Sequence, residues 1–254
     1  MMKKAKTKRT ILVPLDARGT GNERLNITGL LARYLHASVT GLFVADSRSL
    51  EAASLPFAFE ISQFSAEERS LQYAKLTSVN RLAANKVGRR LMELSTQYMI
   101  SVSFFTKTGE LFDSAFAQPN SDILFFPRQT TQFRQARPIR ADHLVEELVV
   151  YYDTSGQAKT SLKLAEQLCC NHKVANLTLV HEGALSEQAL LTLLQRGIRP
   201  KLQLISTRDP LWLRSLHMQE SALILVPRNK FASLSSPQLS LLFAGLNCQV
   251  LLIQ

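Results

Sequence analysis

The chain has 254 residues, of which 46% are hydrophobic and 20% charged, with a net charge of +10. That is an ordinary globular balance, and the length allows two domains of about 100–150 residues. No run approaches the ~18 apolar residues of a membrane helix, and no signal-peptide apolar segment follows the basic start MMKKAKTKR, so a cytoplasmic chain without a membrane partner is expected.

Half of the net charge sits in the first nine residues, at Lys3, Lys4, Lys6, Lys8 and Arg9. Residues 1–9 therefore read as a basic tail. Residues 10–16, TILVPLD, form a short apolar run closed by Pro14 and Asp16, which suits a buried parallel strand. A small-residue loop, ARGTGN, follows, and Leu25, Ile27, Leu31 and Leu35 then mark a helix to about residue 36. Residues 38–45, SVTGLFVA, read as the next strand, giving a βαβ unit with a right-handed crossover. Residues 46–65 read as an irregular apolar insertion with Phe57, Phe59 and Phe64, which either covers the first sheet or meets a partner. Val79, Ala83, Val87, Leu91, Leu94 and Tyr98 predict a long helix from 66 to about 99. A strand at 101–106, a helix at 110–118 and a strand at 122–127 complete the first half. Residues 128–146 read as a linker, with Arg128, Arg134, Arg137 and Arg140 and no acid between 128 and 140.

The second half opens on ELVVYYD, 147–153, which matches TILVPLD with Asp153 against Asp16. A helix led by Thr154-Ser155-Gly156 follows, with Ala158, Leu162, Ala165 and Leu168 on one face, and then a strand at 174–180. A helix from 186 ends near Gly197, a residue suited to a left-handed cap. A strand at 201–206, a helix at 211–219, a strand at 222–227, a helix capped by Ser236 and a last strand at 248–254 finish the chain. Residues 101–129 lie over 201–229 at a constant offset of 100, sharing Leu111/Leu211, Ser121/Ser221, Pro127/Pro227 and Arg128/Arg228. A repeat of this size means a duplicated domain, here 10–140 and 147–254. The fold expected is α/β, two tandem open parallel sheets. The first lacks its fifth strand or keeps only a remnant at 138–140. Strand 248–254 is expected to pair with another chain or to cover the first half's open edge.

The order and spacing of these segments resemble the universal stress protein family. TILVPLD followed by a loop, a helix and SVTGLFVAD resembles the family's opening, and SALILVPRN with LNCQVLLI resembles its close. The resemblance implies tandem flavodoxin-like, adenine nucleotide alpha hydrolase-like domains. In some members ATP or another adenine nucleotide lies at the strand C-termini. Asp16 and Asp153 match the family's Asp at the end of strand one, and Val44 and Val180 lie where backbone at the end of strand two is used. The family's glycine motif after strand four is absent: its first glycine is Pro127 or Pro227, and its second is Thr130 or Lys230. Proline removes a donor and fixes φ, and a side chain at the second glycine crowds a phosphate.

Other anion-binding candidates are the loop glycines Gly19 and Gly21, the turn Ser155-Gly156, and Arg128 and Arg228 at equivalent strand ends, where open α/β sheets place ligands. Each has a plain structural reading beside it, as a strand–helix turn or a solvated arginine. The five histidines and the three cysteines (Cys169, Cys170 and Cys248) show no metal, CxxC or nucleophile spacing, and the adjacent cysteines read as core packing. The expected role is a non-catalytic stress-response protein without a cofactor, acting through a protein partner or as a homo-oligomer, with a dimer favoured. The alternative is an adenine-nucleotide or small-anion binder. A nucleic-acid-associated basic protein is a third reading, carried only by the tail lysines and the linker arginines.

Overall fold

The computed structural model describes residues 9–17, 22–61, 66–127, 145–171, 174–183, 187–205, 212–213, 222–246 and 248–254. The first half runs β1 (Thr10–Leu15), α1 (Asn22–Leu35), β2 (Ser38–Asp46), α2 (Ser47–Ala53), β3 (Phe59–Ile61), β4 (Glu68–Ser70), α3 (Tyr73–Tyr98), β5 (Val102–Gly109), α4 (Leu111–Phe116) and β6 (Ile123–Phe126). The second runs β7 (Val145–Tyr152), α5 (Gly156–Cys170), β8 (Val174–His181), α6 (Glu187–Gln195), β9 (Lys201–Leu204), β10 (Ala222–Pro227), α7 (Ser236–Ala244) and β11 (Gln249–Ile253). The helix expected at 211–219 lies outside the described residues except at Trp212 and Leu213. The remnant strand at 138–140 also lies outside them, as does the linker apart from residues 145 and 146, which open β7 instead.

Among the described residues nine strands form one mostly parallel sheet, in the order β5-β2-β1-β6-β11-β10-β7-β8-β9. The strand order outward from each half's first strand is the same, with β2 and β5 to one side of β1, and β8 and β9 to the same relative side of β7. The two expected sheets are thus joined edge to edge. β11 runs parallel to β10 and antiparallel to β6, with Phe126 opposite Val250, Phe125 opposite Leu251, Leu124 opposite Leu252 and Ile123 opposite Ile253. The place beside β6 that a fifth strand of the first half would take is filled by β11. Strand 249–253 covers that open edge within the chain.

Side chains alternate across a strand, so this register feeds two cores that both run through the seam. Ile123, Phe125, Leu251 and Ile253 face one core with Leu25 and Leu31 of α1, Leu91 of α3 and Leu164 of α5. Leu124, Phe126, Val250 and Leu252 face the other with Phe112 of α4 and Leu239 and Leu242 of α7. Phe112 stacks on Phe126 at 5.2 Å, and Phe243 tilts against both at 5.2 and 4.8 Å. Such ring contacts add about 0.5–1.5 kcal/mol each beyond the burial itself. On the opposite face the Gln167 side-chain amide of α5 donates to the Tyr34 carbonyl of α1 at 2.8 Å. Gln167 also accepts from Arg9 at 3.1 Å.

β1 pairs with β6 only through Ile11 and Leu12, short of Pro14, which has no N–H to donate. The equivalent ladder of β7 with β10 carries four residue pairs, from Glu147 to Val150.

Three expectations change. Residues 47–53 form α2 rather than irregular chain, because the Asp46 carboxylate caps it, accepting from the Arg48 N–H at 3.2 Å and the Ser49 hydroxyl at 2.6 Å. The long helix begins at Tyr73, not 66, after the hairpin β3/β4, and Gln72 caps it without a side-chain hydrogen bond. The last helix is capped one residue earlier than expected, by Ser235, whose N–H reaches the Gln238 side chain at 2.9 Å.

Candidate functional site

The C-terminal ends of β7, β8 and β10 converge on a polar cluster in the second half. Asp153 directly follows β7. One of its carboxylate oxygens accepts from the Ser155 backbone N–H at 3.1 Å, closing a tight turn. Ser155 in turn caps α5, its hydroxyl oxygen accepting from the Ala158 N–H at 3.1 Å. Between them Thr154 holds φ +67°, a left-handed conformation that is uncommon for a β-branched residue. Gly156 opens α5, and a Cβ added there would meet nothing within 4 Å.

The other Asp153 oxygen holds the Lys230 ammonium at 2.9 Å. Lys230 comes from the 3-10 turn Arg228–Phe231 that continues β10. Its ammonium also lies 3.6 Å from Glu182, just past β8, and 4.8 Å from the centroid of the Tyr151 ring. The Tyr151 hydroxyl donates to Glu182, and its ring stacks on Trp212 at 5.4 Å. The Lys230 side chain is only 20% exposed, and those of Asp153 and Glu182 14% each, so solvent screens the cluster weakly. Burial pushes the Asp153 carboxyl up, but the hydrogen bonds from Ser155 and Lys230 outweigh it and hold the group below the ordinary carboxylate range. One cation between two carboxylates, over an aromatic face, is a closed electrostatic set with little left to offer a second anion.

The remaining candidate residues do other things or lie elsewhere. Val180 is fully buried in β8, in register with Tyr151 on one side and Gln203 on the other. Val44 is buried in β2, two residues before the strand ends. The Arg228 guanidinium reaches across the seam: it donates to the Phe116 carbonyl and to the Gln254 side chain at 3.0 Å, and lies 5.1 Å from the Phe116 ring. Burial lowers its pKa from the ordinary arginine value. In this arrangement Arg228 ties β10 to α4 and the chain end. Asp16 is half-buried just past β1. Gly19, Gly21 and Arg128 lie outside the described residues, as do Thr130, the linker arginines and the tail lysines.

The two halves differ at this level. The first half has Pro14 where the second has Tyr151, and Asp46, two residues after Val44, is spent on capping α2. Its nearby ion pair is Arg48 with Glu110, at 2.5 Å. Lys230, Glu182 and Tyr151 were not singled out from the sequence. Lys230 registered there only as the residue in place of a glycine. The cysteines also divide: Cys248 is buried, Cys169 is half-buried with its thiol pushed up to about 11 by burial and then by Cys170, and Cys170 is exposed rather than in the core. Among the described residues no three metal-ligating side chains gather, and no helix is long and apolar enough to cross a membrane.

No family model matches the chain, and no curated protein matches it. Among solved structures, a protein of the universal stress protein family from Burkholderia pseudomallei aligns over 80% of this chain and 100% of that one, at 11% identity and a TM-score of 0.26. Lysine monooxygenase NbtG from Nocardia farcinica, described with an unprecedented NADPH domain conformation, aligns over 78% of this chain and 71% of that one, at 11% identity and a TM-score of 0.18. Scores this low carry no argument about fold or role.

Proposed function

We propose that the chain is a tandem, universal-stress-like protein whose role is binding and regulation rather than catalysis, and whose second cleft is closed by its own lysine. The observation that carries this reading is the Lys230 ammonium on Asp153, 2.9 Å away at the end of β7. In the family that the sequence resembles, this aspartate and the glycine position now held by Lys230 face a nucleotide. Here they face each other. A nucleotide entering the cleft must break a weakly screened ion pair and displace a side chain held by two carboxylates and a ring. It would also meet Pro227, which offers no N–H. The repeated strand order and the shared seam support the tandem reading, with domains 10–140 and 147–254. A cleft spent on internal contacts leaves outer surfaces and partner proteins as the means of action.

Thermal unfolding with and without millimolar ATP–Mg²⁺ tests this. A ligand at ~100 times its Kd adds about 2.7 kcal/mol to a folded state that alone binds it, a shift of several degrees. The expected result is no shift in the wild-type chain. A clear shift that Asp153→Ala abolishes would overturn the closed-cleft reading in favour of an adenine-nucleotide-binding protein.

A further inference from the structure

The hairpin β3/β4 is a sheet of its own, joined to no strand of the nine. Its ladder pairs Phe59 with Ser70, Glu60 with Arg69 and Ile61 with Glu68, and the Leu71 N–H extends it to the Ala58 carbonyl at 2.9 Å. Residues 59 and 61 point to one side by strand alternation, and Phe57 lies in the turn that leads into β3. Glu60 points to the other, where Lys75 at the start of α3 meets it at 3.4 Å. The aromatic side therefore faces away from that contact with α3, and Phe57 is 84% exposed, Phe59 62% and Ile61 66%. Leu55, just before the hairpin, is 62% exposed.

The first part of the helix beside it also lacks buried residues. None of residues 73–83 is buried, the first buried position of α3 being Ala84. That is about 16 Å of helix at 1.5 Å per residue. Lys75, Val79, Leu82, Lys86 and Arg89 recur at steps of four and three, so they share one face, roughly opposite the buried stripe of Val87, Leu91 and Leu94. Val79 and Leu82 are 48% and 64% exposed. The two surfaces differ in charge. Residues 55–71 hold Glu60, Glu67 and Glu68 against Arg69 alone, whereas α3 holds Lys75, Arg81, Lys86, Arg89 and Arg90 against Glu93 alone.

We infer that this lobe is a self-association surface, the acidic aromatic hairpin of one copy seating on the basic apolar face of α3 in a second copy, and the reverse. A surface carrying both complementary halves suits a twofold pair, in which each contact occurs twice. The exposed surface of these apolar residues is on the order of 800 Å², the size of one side of a standard interface. An isolated two-stranded hairpin is marginal in water, so a covering partner also explains an apolar side left open. The chain-end strand is already used between the two halves, paired on both sides by β6 and β10. The inference stands whether or not the cleft takes nucleotide.

Sedimentation of the full chain from 1 to 100 µM tests it, in the wild type, in the hairpin reversal Glu67→Lys/Glu68→Lys and in the helix reversal Lys86→Glu/Arg89→Glu. All four positions are exposed, so folding is not at stake, and circular dichroism checks it. The wild type forms a dimer that weakens with salt. Each reversal alone weakens it at least tenfold, because like charges then meet at both contacts. An equimolar mixture of the two variants restores it, because both contacts again pair opposite charges. A monomer throughout, a dimer indifferent to both reversals, or weakened variants that mixing does not restore would each overturn the inference.

Discussion

Replacing Lys230 by Met takes the cation from between Asp153 and Glu182 and keeps most of the side-chain volume. The magnitude follows from the burial. Exposed ion pairs are worth up to about 1 kcal/mol, and breaking a fully buried one costs about 3–5 kcal/mol. With 20% and 14% of the two side chains exposed, the Lys230–Asp153 pair lies between these limits, at about 2 kcal/mol. Contact with the Tyr151 ring contributes roughly 0.5–1 kcal/mol more. The total of about 2.5–3 kcal/mol at pH 7 corresponds to a fall in Tm of about 5–10 °C for a chain of this size. Trp212 is the only tryptophan, is 4% exposed and stacks on Tyr151, so its fluorescence during urea unfolding reports the cluster directly. The pH dependence is a second signature. The folded state holds the Asp153 carboxyl below its ordinary value. Its contribution is therefore complete above the unfolded value near 3.9 and is lost as pH falls through the folded value. The gap between wild type and Lys230→Met should be widest near neutral pH and close at acid pH. A neutral-pH loss below about 0.5 kcal/mol, or a gap that persists undiminished at pH 2 in a chain still folded, would refute this reasoning.

Arg228→Ala removes a donor from the Phe116 carbonyl and from Gln254 at the seam, and should cost about 1.5–3 kcal/mol in urea unfolding without loss of cooperativity. Thr154→Gly relieves a left-handed backbone at a β-branched residue and should stabilise by about 0.5–1 kcal/mol after the entropy cost of glycine, as seen in Tm. Gly41→Ala places a Cβ 2.3 Å from a Leu91 methyl and 3.0 Å from the Phe104 ring, between β2 and α3. Leu91 is fully buried and has little room to yield, so a loss of about 1–3 kcal/mol is expected by the same assay.

The sheet was legible because its central strands are continuous apolar runs, TILVPL, LVVYY and ALILV, which only a strand covered on both faces accommodates. The turn at Asp153, Ser155 and Gly156 was legible because such residues act locally, within three positions. Lys230 was not, because its partners Asp153 and Glu182 are distant in sequence and meet only when β7, β8 and β10 align. A missing glycine says what is lost from a loop and nothing of what fills the space. Helix α2 depends on Asp46 turning its carboxylate onto Arg48 and Ser49, whereas the surrounding composition read as loop. The late start of α3 escaped because Gln72 is a weak cap, while the periodicity of residues 79–98 was strong. The hydrophobicity of the insertion was plain, but its exposure was not: Phe57 and Phe59 are both exposed, the latter on a hairpin that pairs with no strand of the main sheet.

The claim on which the rest depends is that β11 fuses the two halves into one cooperative sheet. Native-state amide exchange tests it most directly. Strand β6 and strand β11 lie between β1 and β10 in the centre of nine strands. The inner amides of β1, β6, β11 and β7 should therefore exchange only through global unfolding, with one common free energy and one denaturant slope. If the amides of residues 145–253 kept full protection while those of 10–126 exchanged through a separate opening of lower free energy, the halves would be independent domains and the fused-sheet account would be contradicted.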